Sequence, residues 1–208
     1  MSGAVDLSLQ RAINALSSPS ILIGHRLISP GDELALLDEE KRSITSDVAS
    51  MRRASGAARI VGRQLLARLG YADCAVPKGP AGAPIWPAGA TGSFAHDDRV
   101  AVAAVGLCRD VGALGIDVEP AELLPLEMLA LIATPQEQVR ISDDPYQGRL
   151  LFAAKEAVYK AVYPLDHLFL DYQDIQVDIA NRKAVVRSGR VLELRFCISA
   201  HLVVLALI

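Results

Sequence analysis

Apolar residues recur at helical spacing from Ser46 to Leu69, at Ile60, Val61, Leu65, Leu66 and Leu69, and the pattern stops at Gly70. That period predicts a long amphipathic helix closed by a glycine. A second helix is predicted over Gln147–Tyr163, and a helical region over Pro125–Val139 is interrupted by Pro135, which cannot extend a preceding helix. Strand signals look different. The run VAVAAVGL at Val100–Leu107 is continuously apolar and suits a buried strand, whereas LGIDVE at Leu114–Glu119 alternates. A short polar turn around Arg109–Gly112 joins them. The chain closes with DIQVDI, KAVVR, VLELRFCIS and LVVLALI, all alternating or apolar and β-like. From Val76 to Thr91 the composition shifts to Pro, Gly and Ala around the single Trp86, which reads as an ordered loop. Helix and strand in mixed order, without regular strand–helix alternation, predict an α+β fold.

Composition bounds the function classes. With 208 residues, 51% hydrophobic, and a mean hydropathy of +0.29, the chain can bury a sizeable core in one large or two small domains. A net charge of −3 and a pI near 5.8 argue against a mainly electrostatic nucleic-acid binder, so any anion site must be local. One local basic density exists, on the polar positions of the first long helix: Arg52, Arg53, Arg59, Arg63 and Arg68. It reads either as a solvated face or as an anion-facing surface. No apolar run approaches the roughly 18 residues of a membrane span, and the N-terminus lacks a basic region followed by an apolar core, so a cytoplasmic location is expected. Cys74, Cys108 and Cys197 fit neither a disulfide framework nor paired zinc ligands. Neither GxGxxG nor GxxxxGK[ST] occurs, which removes the common nucleotide-binding readings.

The candidate chemistry lies in three short segments. In GIDVEP, Asp117 and Glu119 are two apart on a predicted strand, so both carboxylates leave one face while Ile116 and Val118 leave the other. Two such oxygens suffice for a hard cation that also holds substrate phosphates, such as magnesium; a solvated edge strand gives the same spacing. In FAAKEAVYKA at Phe152–Ala161, Glu156 and Lys160 stand one helical turn apart. Their plain reading is a surface salt bridge. If the helix packs beside the strand end, Glu156 adds a third acid, and three converging carboxylates imply a cation. Lys155 and Lys160 would then flank that ion and meet phosphate oxygens. His96, in GSFAHDDR, is expected on a loop ahead of the buried strand, where it is either a binding group or merely exposed. Trp86 reads as a packing anchor for its loop.

Taken in order, PIWP, GSFAH, GIDVEP and FAAKEAVYKA resemble the 4'-phosphopantetheinyl transferases of the larger, pseudo-dimeric class that activates surfactin and enterobactin synthetases, over about Arg52–Pro164. The resemblance implies two similar α+β halves, about Met1–Cys108 and Arg109–Ile208, with coenzyme A and magnesium in the cleft between them. It implies that a serine of an apo acyl or peptidyl carrier protein attacks the β-phosphorus of coenzyme A and 3',5'-ADP departs. By motif, Asp117, Glu119 and Glu156 resemble the magnesium ligands and Lys160 the pyrophosphate contact. His96 is similar to the family's phosphate-binding histidine and Lys155 to the lysine preceding its glutamate. Arg53, Arg59 and Lys78 are the basic residues toward the coenzyme's phosphates. Glu156, a metal-bound water and Glu137 in TPQEQ are the candidates for the base; Glu137 also reads as an ordinary first-turn helix acid. The apolar segment Leu123–Ile132 is either a carrier-docking surface or a core helix. A monomer is expected, acting in secondary metabolism such as siderophore or polyketide synthesis. Ala95 stands where the family commonly has a polar residue, and Asp97 and Asp98 add negative charge beside His96. Those departures motivate an alternative reading as a carrier-protein or coenzyme A binding module without strong catalysis.

Overall fold

The structure, a computed structural model, describes residues 5–141 and 144–208. In chain order the first half carries α1 (Leu7–Asn14), β1 (Ile21–Leu27), α2 (Asp38–Ser43), α3 (Ala49–Arg68), β2 (Ala90–His96) and β3 (Val100–Leu107). The second carries β4 (Leu114–Pro120), α4 (Leu126–Ile132), α5 (Pro135–Arg140), α6 (Gln147–Asp166), β5 (Ile175–Asp178), β6 (Lys183–Val186), β7 (Val191–Ile198) and β8 (His201–Leu207). Two antiparallel sheets result, in the orders β1-β3-β2 and β4-β8-β7-β6-β5. The fold is α+β, as the mixed element order predicts.

The halves repeat one plan. Each runs strand, long helix, strand, strand, and inserts its last strand between the two earlier ones: β1-β3-β2 in the first, β4-β8-β7 in the second. The β5–β6 hairpin extends the second sheet. α3 and α6, each of 20 residues, cover the outer faces of their own sheets. Between the sheets lies a shared core in which Val100, Val102 and Ala104 of β3 meet Ile116 and Val118 of β4 and Val203, Leu205 and Leu207 of β8. The alternate positions face the helices: Ala103 and Val105 join Val61, Leu65 and Leu66 of α3, and Leu202, Val204 and Ala206 join the α6 cluster. β3 and β8 are therefore covered on both faces, which is why their sequences are continuously apolar rather than alternating. The chain passes from one sheet to the other between Leu107 and Leu114, but the shared cluster makes the two halves one packed body.

Two local readings change. The segment before the buried strand is itself a strand: GSFAH is the last part of β2, paired along β3 with His96 opposite Ala101, so His96 stands at a strand end rather than on a loop. The region broken at Pro135 becomes two helices because Thr134 caps α5, with Pro135 at its first position.

One glycine decides how closely the second sheet approaches its helix. A Cβ at Gly115 would stand 2.0 Å from the Ala157 carbonyl oxygen and 2.6 Å from the Ala161 nitrogen, both backbone atoms that cannot swing aside. Gly115→Ala is expected to push α6 off β4, destabilising the fold by about 3 kcal/mol, at the upper end for overpacking. Denaturant unfolding checks this, and an unshifted midpoint would contradict the close approach.

Candidate active site

A cleft of about 370 Å3 opens between α3, β2 and α6, so both halves wall it. α3 contributes Met51, Ser55, Ala58 and Arg59, the β2 strand Thr91, Gly92, Phe94 and His96, and α6 Glu156, Tyr159, Lys160 and Tyr163. The loop before β2 closes one side with Lys78 and Trp86. Trp86 packs on Phe94, ring centroids 4.8 Å apart, and over Gly92, where a Cβ would meet the indole at 2.6 Å. The indole is thus the loop's anchor and part of the cleft wall.

Gly115, Asp117 and Glu119 share the face of β4 that α6 covers, one residue in two. Lys160 reaches from the cleft to this strand: its Nζ donates to Asp117 Oδ1 at 2.6 Å and to the Ile116 carbonyl at 3.3 Å. The partner of Lys160 is thus Asp117 and not Glu156, its neighbour one turn back. Glu156 instead accepts from the Tyr172 hydroxyl through Oε1 at 2.7 Å. Glu119 pairs with Arg149 at 3.1 Å.

The electrostatics show an excess of buried negative charge at this point. Asp117 is 5% exposed, and its Oδ2 has no hydrogen-bond partner among the described residues. Burial raises its pKa above the ordinary carboxylate value and the charge of Glu156 adds to the rise, while Lys160 opposes it. Glu119 is pushed up to about 6, first by burial and then by Asp117, against Arg149. Among the described residues no three His, Cys, Asp or Glu side chains converge tightly enough to form a ready metal cage. The donor set nevertheless suits a hard cation. It is all oxygen, one buried oxygen is unpartnered, and the acids disfavour one another's ionised forms, which a divalent charge would relieve.

On the cleft's other walls stand His96 and the cations Arg59 and Lys78. His96 is exposed at the end of β2; partial desolvation lowers its pKa, and the nearby Lys160 adds to this. Arg59 is buried; its Nε donates to the Val76 carbonyl at 2.9 Å and its guanidinium lies 5.4 Å over the Phe94 ring. Burial lowers it to about 10, so it stays charged at neutral pH. Lys78 is exposed on the cleft wall.

Three expected site residues stand elsewhere. Arg53 does not line the cleft. It faces the 3-10 turn Asp32–Ala35 and pairs with Glu33 at 3.4 Å, on the side of α3 where Gly56 lets that turn approach. Arg63 is likewise held by the fully buried Glu40 at 2.7 Å, so of the five basic residues on the helix only Arg59 reaches the cleft. Lys155 and Glu137 form a buried pair at 2.7 Å, 0% and 3% exposed. Consecutive helical residues point about 100° apart, so Lys155 and Glu156 cannot both face the cleft, and Lys155 turns into the second half's core. Its Nζ also donates to the carbonyls of Ile132 at 2.7 Å and Tyr172 at 2.8 Å. Glu137 completes a capping box with Thr134 and accepts from the Val177 nitrogen at 2.6 Å, leaving it no free oxygen for a base. The TPQE sequence carries that capping signal openly.

The residues near His96 also resolve. Ala95 is buried in the shared core, not on the cleft wall. Asp97 turns away: its Oδ1 accepts from the nitrogens of Arg99 and Val100, and its Oδ2 meets His201 at 3.0 Å. Three further residues support the site unannounced by any motif. Arg149 lies seven positions before Glu156, on the same face of α6, a spacing that marks it in retrospect. Tyr172 and His201 follow the end of a helix and open a strand, where no periodicity singles them out.

Comparison with known proteins adds the family. Residues 39–106 match the 4'-phosphopantetheinyl transferase N-terminal domain and residues 113–205 the 4'-phosphopantetheinyl transferase superfamily. The chain is 36% identical to 4'-phosphopantetheinyl transferase Npt of Nocardia iowensis over 166 residues, covering 78% of this chain and 75% of that protein. It is 35% identical over 158 residues both to Svp of Streptomyces mobaraensis and to PptT of Mycobacterium tuberculosis, each a 4'-phosphopantetheinyl transferase. Those matches cover 73% of this chain, and 64% and 68% of the two relatives.

Proposed function

Because the chain belongs to the 4'-phosphopantetheinyl transferase family, we propose that its cleft moves the 4'-phosphopantetheine arm of coenzyme A to a serine of an apo carrier protein. The observation that carries this reading is the contact of Lys160 with Asp117, whose second oxygen is buried and unpartnered, at the edge of a cleft that also holds Glu156, His96 and Arg59. Anion-binding cations and cation-binding acids thus meet in one place, as a metal–pyrophosphate substrate requires.

In this reading Asp117, Glu119 and Glu156 hold magnesium, which when bound supplies Lewis-acid polarisation of the pyrophosphate. Lys160 meets the pyrophosphate and offsets charge on the departing 3',5'-ADP. His96, Arg59 and Lys78 bind the coenzyme's phosphates. Glu156, the carboxylate lining the cleft, accepts the serine proton as the serine Oγ–phosphorus bond forms and the bond to the bridging pyrophosphate oxygen breaks. Lys155, Glu137 and Arg53 act in the fold rather than on the ligand.

The carrier would meet the cleft near the segment Leu123–Ile132. Leu123, Leu126 and Leu131 there are 69%, 79% and 70% exposed, while Ile132 is buried. Since one chain supplies both cleft walls, the assembly proposed is a monomer of the larger, two-half class. Among the described residues no helix is long and apolar enough to cross a membrane. The binding-module alternative drew on Ala95 and on Asp97–Asp98; Ala95 lies in the core, while Asp97, though tied to His201, and Asp98 both raise the His96 pKa against the lowering by burial.

Apo carrier protein incubated with this protein, coenzyme A and magnesium is expected to gain the mass of one phosphopantetheine arm, read by intact-protein mass spectrometry. Unchanged carriers of acyl and peptidyl type, with an active transferase working in parallel, would sink the proposal.

A further inference from the structure

We propose that Tyr172 is a positioning residue that fixes the Glu156 carboxylate, an inference that rests on reading Glu156 as part of the metal-holding set. Tyr172 opens the 3-10 turn Tyr172–Asp174 that follows α6. Both ends of it are held by consecutive residues of that helix. Its hydroxyl donates to Glu156 Oε1 at 2.7 Å, and its carbonyl accepts from Lys155 Nζ at 2.8 Å. Lys155 is itself fully buried and anchored by Glu137. The phenol ring packs on Phe152 of α6, centroids 5.9 Å apart. Gln173 ties the same turn to the carbonyls of Leu131 and Ala133.

The consequence lies in a competition on α6. Glu156 and Lys160 are one turn apart, the spacing at which glutamate and lysine pair readily. Such a pair would occupy the Glu156 carboxylate, as Lys160 now occupies one oxygen of Asp117. It does not form here: Lys160 is on Asp117, and Glu156 is held at Oε1 by Tyr172. The tyrosine hydroxyl holds Oε1 of a glutamate that lines the cleft, and so restricts a flexible side chain before any ligand arrives. Groups hydrogen-bonded behind a metal ligand characteristically set its affinity. The Lys155–Glu156 dipeptide therefore works as one clamp, the lysine seating the backbone of Tyr172 and the glutamate receiving its hydroxyl.

Tyr172→Phe removes only the oxygen, since the ring on Phe152 and the carbonyl on Lys155 remain. Mn2+, visible by electron paramagnetic resonance, is titrated into the native protein, Tyr172→Phe, Glu156→Gln and the double variant, each with coenzyme A present. Tyr172→Phe is expected to bind Mn2+ roughly tenfold more weakly, with coenzyme A affinity in the absence of metal unchanged. The double variant should bind no more weakly than Glu156→Gln alone. In turnover, the magnesium requirement should rise and kcat fall while KM for coenzyme A holds. Native-like Mn2+ affinity in Tyr172→Phe, with Glu156→Gln impaired, overturns the positioning role alone. Native-like affinity in Glu156→Gln overturns the metal reading of the site, and the inference with it.

Discussion

Glu156→Gln is expected to lower carrier modification by on the order of a thousandfold while leaving the fold and its unfolding midpoint nearly unchanged. In the proposed reading two roles are lost in one step, a charged oxygen toward magnesium and the acceptor of the serine proton, and several kcal/mol of transition-state stabilisation go with them. Structural damage should be small. The amide is isosteric, the side chain is only half-buried, and its Oε1 can still accept from the Tyr172 hydroxyl. Removing the negative charge also relieves Asp117, whose ionised form is disfavoured in part by Glu156. The measurement is the initial rate of carrier mass gain against magnesium concentration, beside thermal unfolding. Survival of native rates would return Glu156 to the status of an ordinary helix acid and remove the acid at the centre of the proposed site.

Lys155→Met is expected to act in the opposite manner, on stability first. It leaves Glu137 3% exposed and without its cation, and breaking such a buried pair destabilises by about 3–5 kcal/mol. The loss extends beyond the pair, because Lys155 also satisfies the carbonyls of Ile132 and Tyr172 and so joins the end of α4 and the turn after α6 to one helix. Adding Glu137→Gln should recover a large part of the loss, since the stranded charge is gone. Denaturant unfolding of the single and double variants checks this. Were Lys155 a pyrophosphate contact instead, Lys155→Met would unfold like the native protein and fail only in turnover.

The contrast between these two neighbours shows how far the sequence reaches. Residue spacing along the chain located the acids and the cations: Asp117 and Glu119 on one strand face, Glu156 and Lys160 on one helix face. Continuous apolar runs marked β3 and β8 as buried strands, and the order of helix and strand signals led to an α+β fold. Each of these follows from a local period, which the backbone imposes whatever the rest of the chain does.

Adjacency between elements distant in sequence is another matter. That α6 lies close enough on β4 for Lys160 to pair with Asp117 depends on Gly115 and on two sheets sharing a core. The same packing sends Lys155 inward to Glu137 and leaves Arg53 facing Glu33. It turns Asp97 toward His201 and brings Tyr172, sixteen residues beyond Glu156, back to that carboxylate. Thus the sequence by itself marked the candidate acids and cations, through helical and strand periods and the order of their motifs. Only the tertiary structure decided which of them face the cleft and which hold it together, because a charged side chain's partner is set by burial and distance, and neither has a period in the sequence.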